Sequence, residues 1–175
     1  MIWPFKRKSR PTEPVYAAYN AIVAQSRQPK FYAEWDVPDT VTGRFDMISI
    51  HMCMVFRRLR AETGQGNPFT QDLFDLFFND MDRSLREMGV NDVSIPKRIQ
   101  KMGNIFYGLV AKMTEAIDNE DKKLLSDVID RNLFDEEKSE AATALADYIF
   151  DIASTLDVQK SDDITAGKLV FGEKL

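Results

Sequence analysis

The chain has 175 residues, 44% of them hydrophobic and 29% charged, a balance that fits one globular domain with a core of its own. The formal net charge of −5 is uneven, because residues 1–11 carry four basic and no acidic side chains while the remainder carries 19 basic and 28 acidic ones. So acidic a body repels a phosphate backbone, which argues against general nucleic-acid binding.

The first eleven residues combine apolar side chains with a basic cluster. Trp and Phe prefer the headgroup boundary of a bilayer, and Lys and Arg are attracted to anionic lipid. The sequence therefore predicts weak, reversible contact with an anionic membrane surface, and the alternative is a flexible tail that the basic run keeps soluble. The residues in question are Ile2, Trp3, Phe5, Lys6, Arg7, Lys8 and Arg10.

The rest of the chain has the pattern of a helical protein. Apolar residues recur at spacings of three and four, and β-branched runs are rare, which favours an all-α fold, a single compact helical bundle of about six helices. We expect helices over residues 13–26, 40–62, 70–88, 94–117, 119–132 and 139–156, with a short aromatic turn over residues 30–35. This gives a helical domain over residues 12–156, followed by a polar tail over residues 157–175.

Local signals fix several helix ends. Thr40 or Thr42 can cap the second helix, Thr70 the third, and Gly89 fits a left-handed C-cap after the third. A breaker, Gly64-Gln65-Gly66-Asn67-Pro68, separates the second and third helices. The polar tail contains three apolar residues that could dock back onto the bundle, namely Leu169, Val170 and Phe171.

The second helix carries a cationic line at heptad spacing, formed by Arg44, His51 and Arg58. Steps of seven residues nearly stack on one strip of a helix, so the line could be a charged edge that contacts a client or partner. The alternative is internal: Arg44 pairs with Asp46 or with an aspartate of the third helix, and His51 is a satisfied core histidine.

No catalytic or metal-binding set is evident in the sequence. His51 and Cys53 are the only histidine and cysteine, and two residues apart on a helix they diverge by about 200°. They cannot share a metal ion or a proton. The single cysteine also excludes an internal disulfide and fits a reducing compartment. With no apolar run of about 18–20 residues and no secretory h-region, the default location is cytoplasmic.

An enzymatic alternative rests on the acids of the third helix. Asp72, Asp75 and Asp82 could hold Mg²⁺ for a diphosphate substrate in an all-α enzyme. Their spacing does not supply a matched pair facing one ion, and a solvated face opposite the core stripe is the simpler interpretation.

The aromatic residues Phe31, Tyr32 and Trp35 precede a rigid polar turn, residues 37–40. They either offer apolar surface to a client segment or staple the loop onto the bundle. This segment also carries a family resemblance. The blocks concerned are Phe31-Tyr32, VPDT at 37–40, GRFDM at 43–47, DMD at 80–82, LREMGV at 85–90 and FYG at 106–108.

In these blocks the chain resembles the ubiquinol–cytochrome c reductase assembly chaperones. The resemblance implies a non-enzymatic protein, without a cofactor, that helps assemble the cytochrome bc1 complex at the inner membrane. Mitochondrial members bind newly made cytochrome b together with a small partner protein, so cytochrome b or another bc1 subunit is the expected client. A small partner protein, a homo-oligomer and a general helical adaptor role stay open.

The hypothesis for the client surface joins the aromatic segment to the polar residues of the second helix. It consists of Phe31, Tyr32, Trp35, Asp39, Arg44, Asp46, His51 and Arg58.

Overall fold

Helices account for all the regular secondary structure in the computed structural model, which describes residues 11–63, 67–134 and 139–172. The α-helices of these ranges are α1 (Glu13–Ser26), α2 (Pro29–Ala33), α3 (Val41–Thr63), α4 (Pro68–Glu87), α5 (Ile95–Asp118), α6 (Lys122–Ile129), α7 (Glu140–Asp157) and α8 (Ser161–Thr165). A π-helical turn, Asp130–Phe134, continues α6. The all-α prediction is confirmed, and the six longer helices are those expected from the apolar spacing.

The central helix is α3, because its middle section is apolar around most of its circumference. Met47, Ile50, Met52 and Met54 point in different directions on the helix, yet all are fully buried. Such a helix is stable only when neighbours cover it on every side. Helices α1, α5 and α7 pack against α3, and α6 packs between α5 and α7.

A cluster of phenylalanine rings fastens α3 to α4 and α5. The rings of Phe45 and Phe77 stack with their centroids 4.9 Å apart, and Phe56 meets Phe106 edge-on at 5.4 Å. Offset stacking and edge contacts are the favourable geometries for aromatic pairs, worth about 0.5–1.5 kcal/mol beyond the buried area. The cluster fixes the orientation of α3 and hence of the residues on its other faces.

The caps agree with the sequence at two helix ends and differ at a third. Thr40 Oγ1 accepts a hydrogen bond from Gly43 N at the start of α3, and Gly89 (φ 77°) ends α4 in the left-handed conformation. Asn67, rather than the predicted Thr70, caps α4 by accepting from Phe69 N at 2.8 Å. The helix begins earlier because Pro68, which lacks an N–H donor, suits the first helical position.

The segment after α7 is held against the bundle. Leu169 and Phe171 are buried while Val170 is exposed. The Gln159 side chain donates to Val170 O and accepts from Val170 N, which pins the segment to the end of α7. The docking that the apolar residues of the tail allowed is therefore observed.

Two predictions fall on parts of the chain outside the described residues. One is the membrane-surface segment, with Ile2, Trp3, Phe5, Lys6, Arg7, Lys8 and Arg10. The other is the glycine breaker at residues 64–66. Within the described ranges, no helix combines the length and apolarity needed to cross a bilayer.

Candidate functional site

The turn before α3 is built on a close approach of two backbones. Val37 is buried and its N–H donates to Phe31 O at 3.0 Å, while Thr40 N donates to Pro38 O at 2.8 Å. A Cβ placed on Gly43 would lie 2.0 Å from Pro38 O. Glycine is therefore required at residue 43 for the turn to pack on the first turn of α3.

Asp39 and Arg44 form an exposed ion pair on this turn. Arg44 Nε donates to Asp39 Oδ1 at 2.7 Å. The hydrogen bond from Arg44 lowers the pKa of Asp39. The alternative in which Arg44 pairs with Asp46 or with an aspartate of α4 is not observed, because the turn folds Asp39 back over the start of α3 and Asp39 is the partner.

The aromatic residues of the candidate surface enter one ring cluster. Phe31 is buried, with its ring centroid 5.6 Å from that of Trp35 and 5.1 Å from that of Tyr148. Trp35 is half-buried, and Lys30 Nζ lies 5.1 Å from its ring centroid. The stapling role is thus observed for Phe31, while Trp35 keeps one part of its ring accessible.

His51 lies inside the bundle and its ring nitrogens are both hydrogen-bonded. Nδ1 is 2.7 Å from Met47 O, which can only accept, so Nδ1 carries the proton. Nε2 then accepts from the Tyr148 hydroxyl at 2.8 Å, and that hydroxyl accepts from Gln25 Nε2 at 2.9 Å. Burial lowers the pKa of His51 to about 4, so the imidazole is neutral. His51 is a satisfied core histidine.

Asp46 and Tyr32 are half-buried members of the candidate surface. The Tyr32 hydroxyl donates to Ser26 O at 2.8 Å. Among the described residues, Asp46 has neither an ion-pair partner nor a side-chain hydrogen bond. Burial alone raises the pKa of Asp46 to about 7. A half-buried carboxyl group without a partner is costly to keep in its charged form.

Arg58 is buried and holds the chain after α7. Its Nε donates to Leu156 O at 3.0 Å and its Nη1 donates to Ser161 Oγ at 3.1 Å, while Nη2 pairs with Glu62 at 2.6 Å. The expected cationic edge of α3 is therefore not a continuous exposed surface. Of its three residues, Arg44 faces solvent whereas His51 and Arg58 make internal contacts.

Two of the three α4 acids that could hold Mg²⁺ are engaged by neighbouring side chains. Asp82 pairs with Arg86 at 2.7 Å, and Asp75 accepts from Gln71 Nε2 at 2.8 Å. In the part of the chain that the structure describes, no three His, Cys, Asp or Glu side chains are grouped as metal ligands would be. Cys53 is buried, and burial raises the pKa of its thiol.

The structure brings Tyr148, Gln25 and Phe171 to His51, and the sequence did not single out Tyr148 or Gln25. Phe171 meets the His51 ring edge-on at 5.4 Å. The three residues come from α1, α7 and the segment after α8, so no local spacing connects them. Every polar group in a buried network needs a hydrogen-bond partner. The need of a buried His51 for two such partners was the one signal in the sequence that pointed to this network.

Comparison with known proteins identifies the family of this chain. The sequence profile described as ubiquinol-cytochrome c chaperone matches residues 33–171, which contain the 37–40 turn, all of α3 and Phe171. The chain belongs to the ubiquinol-cytochrome c chaperone family.

Two animal relatives are distant in sequence, and one solved bacterial structure is close in fold. The Xenopus laevis ubiquinol-cytochrome-c reductase complex assembly factor 1 is 22% identical over 156 residues, which cover 87% of this chain and 78% of that protein. The Mus musculus protein of the corresponding name is 24% identical over 148 residues, 83% of this chain and 50% of its own length. The crystal structure of the Cbp3 homolog from Brucella abortus matches with a TM-score of 0.82 and 34% identity, over 91% of this chain and 89% of that one.

Proposed function

We propose that this chain is a non-enzymatic assembly chaperone that binds unassembled cytochrome b and supports biogenesis of the cytochrome bc1 complex. The observation that carries the proposal is the family match over residues 33–171. The names of the relatives, which are assembly factors of the ubiquinol-cytochrome c reductase complex, support it. The mechanism is stoichiometric: the protein holds an unassembled membrane subunit and releases it on maturation.

The client surface we propose centres on the exposed side of the aromatic turn. Trp35 presents part of an apolar ring, and Asp39 and Arg44 present opposite charges beside it. Tyr32 and Asp46 add half-buried polar groups at the edge. The buried members Phe31 and His51 serve this surface by positioning it, whereas Arg58 holds the chain after α7. An aromatic anchor ringed by polar groups is the usual composition of a protein-binding patch.

The location we propose is the cytoplasmic face of the inner membrane, where an unassembled membrane subunit is accessible. Residues 1–10 supply apolar and basic side chains for weak lipid contact. A chain lacking residues 1–10 is then expected to be recovered less from membranes while keeping its helical fold.

A deletion strain tests the function. We expect loss of membrane b-type haem and of antimycin-sensitive cytochrome c reductase activity, both restored by the gene. A normal bc1 complex in the deletion strain would refute the proposal and leave a general helical adaptor with another partner.

A charge swap tests the surface without removing an ion pair. The double variant Asp39→Arg/Arg44→Asp keeps an ion pair within the turn, but the two charges that a client would meet have exchanged places. We expect capture of cytochrome b to fall while the melting temperature changes little. The matched control is Lys123→Asp/Asp127→Lys, which swaps an exposed pair on α6. Equal capture by the two swapped proteins would remove the turn from the client surface.

A further inference from the structure

One face of the folded domain is cationic although the protein as a whole is acidic. Lys97, Arg98 and Lys101 are exposed on the first turns of α5. They fall within an arc of about 100° on the helix, so they form one patch. None of them forms an ion pair with a carboxylate of the described ranges, whereas Lys112 and Lys122 each form one and Arg86 forms two.

These cations do not stabilise the helix that carries them. The N-terminal end of a helix is the positive end of its dipole and favours acids, yet the first turn of α5 contains no acidic residue. Like charges at positions 97 and 101 also repel each other across one turn. Three unpaired cations placed against these preferences indicate an anion outside the bundle.

Apolar side chains protrude from the α4–α5 loop and from the side of α5 that carries the cations. Val93 is 88% exposed in the loop between α4 and α5, and Met88 at the end of α4 is 55% exposed. Ile105, 46% exposed, lies on the same side of α5 as Lys101, one turn further along. Large apolar side chains this exposed beside an unpaired cationic patch are uncommon on a surface that contacts only water.

The loop that carries Val93 is ordered by its own hydrogen bonds. Val90 N donates to Leu85 O at 3.1 Å, which closes the left-handed cap at Gly89. Asn91 Oδ1 accepts from Val93 N at 2.9 Å, and Asn91 O accepts from the Ser94 hydroxyl at 2.8 Å. The loop therefore holds Val93 outward as part of the fold.

We propose that the α4–α5 loop and the cationic face of α5, defined by Met88, Val93, Lys97, Arg98, Lys101 and Ile105, dock on an anionic bilayer surface. The three cations match the anionic headgroups of such a bilayer, and the protruding Val93 matches the apolar acyl boundary just beneath the headgroups. A nucleic acid is a poorer match, because it would place phosphates against the apolar Val93. A protein partner would need a cavity to receive the Val93 side chain. The inference deepens the membrane location in the proposed function by assigning a lipid-facing side to the domain itself.

Docking through this face would orient the protein. The segment 86–101 contains four basic and two acidic residues, whereas the remainder of the domain is acidic and is repelled by anionic lipid. The bundle would thus approach the bilayer with α5 first. Because the contacts are exposed, binding is expected to weaken as salt shortens the Debye length from about 8 Å to about 3 Å.

Vesicle binding by the full-length chain tests the proposal without a client, so its failure leaves the deletion-strain result untouched. The probe is vesicles of phosphatidylglycerol and phosphatidylcholine in equal amounts, against vesicles of phosphatidylcholine alone. The variant Lys97→Glu/Arg98→Glu/Lys101→Glu is expected to bind the anionic vesicles about tenfold more weakly or worse. The control Lys123→Glu/Lys160→Glu/Lys168→Glu makes the same charge change on α6 and beside α8 and is expected to retain most of the binding.

A second pair of variants tests the apolar contribution. Val93→Ser is expected to weaken vesicle binding and Val93→Trp to strengthen it, with unchanged circular dichroism because the side chain is exposed. Equal loss in the two triple variants would reduce the effect to net charge and overturn the proposal. Unchanged vesicle binding by the α5 variant would also overturn the proposal. If the same variant failed to restore the bc1 complex, the face would be assigned to binding an acidic protein.

Discussion

The hydroxyl of Tyr148 donates to Nε2 of His51 across 2.8 Å, joining residues that lie 97 positions apart in the chain. The same hydroxyl accepts from Gln25, and the other His51 nitrogen donates to Met47 O. The four groups form a closed set in which each donor has an acceptor. This network ties α1, α3 and α7 together beneath the aromatic turn, so the exposed part of Trp35 rests on a rigid base.

Removing the Tyr148 hydroxyl should therefore destabilise the fold. Tyr148→Phe leaves His51 Nε2 and the Gln25 amide without their partner in a buried place, at a cost of about 1–3 kcal/mol in the free energy of unfolding. Urea denaturation followed by circular dichroism measures it. Tyr16→Phe removes the same atom from an exposed ring and should change stability by less than about 0.5 kcal/mol. Equal stability of the two variants would contradict the network.

The neutral His51 should make the protein sensitive to acid. Its pKa is about 4 in the folded state and about 6.5 in an unfolded chain, so the unfolded state binds the extra proton between these values. Stability is fully present above pH 6.5 and decreases as the pH falls toward 4, by about 3 kcal/mol in all. His51→Gln should be less stable at pH 7 and should show a flatter profile across this window.

Asp46 should act in the opposite direction over nearly the same pH range. Its pKa rises to about 7 on folding from an unfolded value of about 3.9, so the folded state holds the proton more tightly. The contribution of the protonated Asp46 carboxyl group to the free energy of unfolding is present below pH 4 and is lost as the pH rises through 7. Asp46→Asn should increase stability at pH 8 by about 1–2 kcal/mol and leave it nearly unchanged at pH 4.

The control for this titration is Asp151→Asn, an exposed aspartate on α7. It should give no comparable gain at pH 8. The acid sensitivity of His51 is best measured in the Asp46→Asn background, where the opposing titration is absent. An Asp46→Asn protein with the unaltered pH profile would show that the carboxyl group is not desolvated.

Gly43 offers a steric test of the turn that carries the Asp39–Arg44 pair. Gly43→Ala places a methyl group 2.0 Å from Pro38 O, so the turn must move away from α3, at a cost of about 2 kcal/mol or more. Gly108 is a helical glycine with no atom within 4 Å of its added Cβ. Gly108→Ala should stabilise by up to about 1 kcal/mol. Thermal unfolding of the two variants gives opposite shifts if the turn packs as described.

Arg58 and Arg60 lie on the same helix in contrasting surroundings. Arg58→Ala leaves Leu156 O, Ser161 Oγ and Glu62 without the guanidinium and should cost about 3 kcal/mol. It should also increase proteolysis after residue 157, because the segment it holds is released. Arg60→Ala removes an exposed side chain and should cost less than about 0.5 kcal/mol. Loss of client binding in an Arg58 variant would therefore report on folding, and the Asp39/Arg44 swap is the cleaner test of the surface.

The six longer helices were predictable because apolar residues recur in them at spacings of three and four, and Gly89 was predictable because one residue type suits a left-handed cap. The partner of Arg44 was not, since it depends on the direction in which the 37–40 turn folds back. The burial of His51 was one of two interpretations that the sequence left open, and the burial of Arg58 was not predicted. Both polar residues are buried only because α1, α7 and the last described residues cover them, and heptad spacing along α3 carries no information about distant segments.

The contact of Phe171 with His51 sets an order of events during synthesis. A domain emerging from the ribosome folds from its N-terminal side as its contacts become available, but the central helix here is covered last. Until residues 148–171 have been made, the His51 ring lacks Tyr148 and Phe171, and Arg58 lacks Leu156 O and Ser161 Oγ. Helix α3 thus stays partly uncovered while most of the rest of the chain is synthesised. This member of a chaperone family must itself pass through a long, partly folded stage.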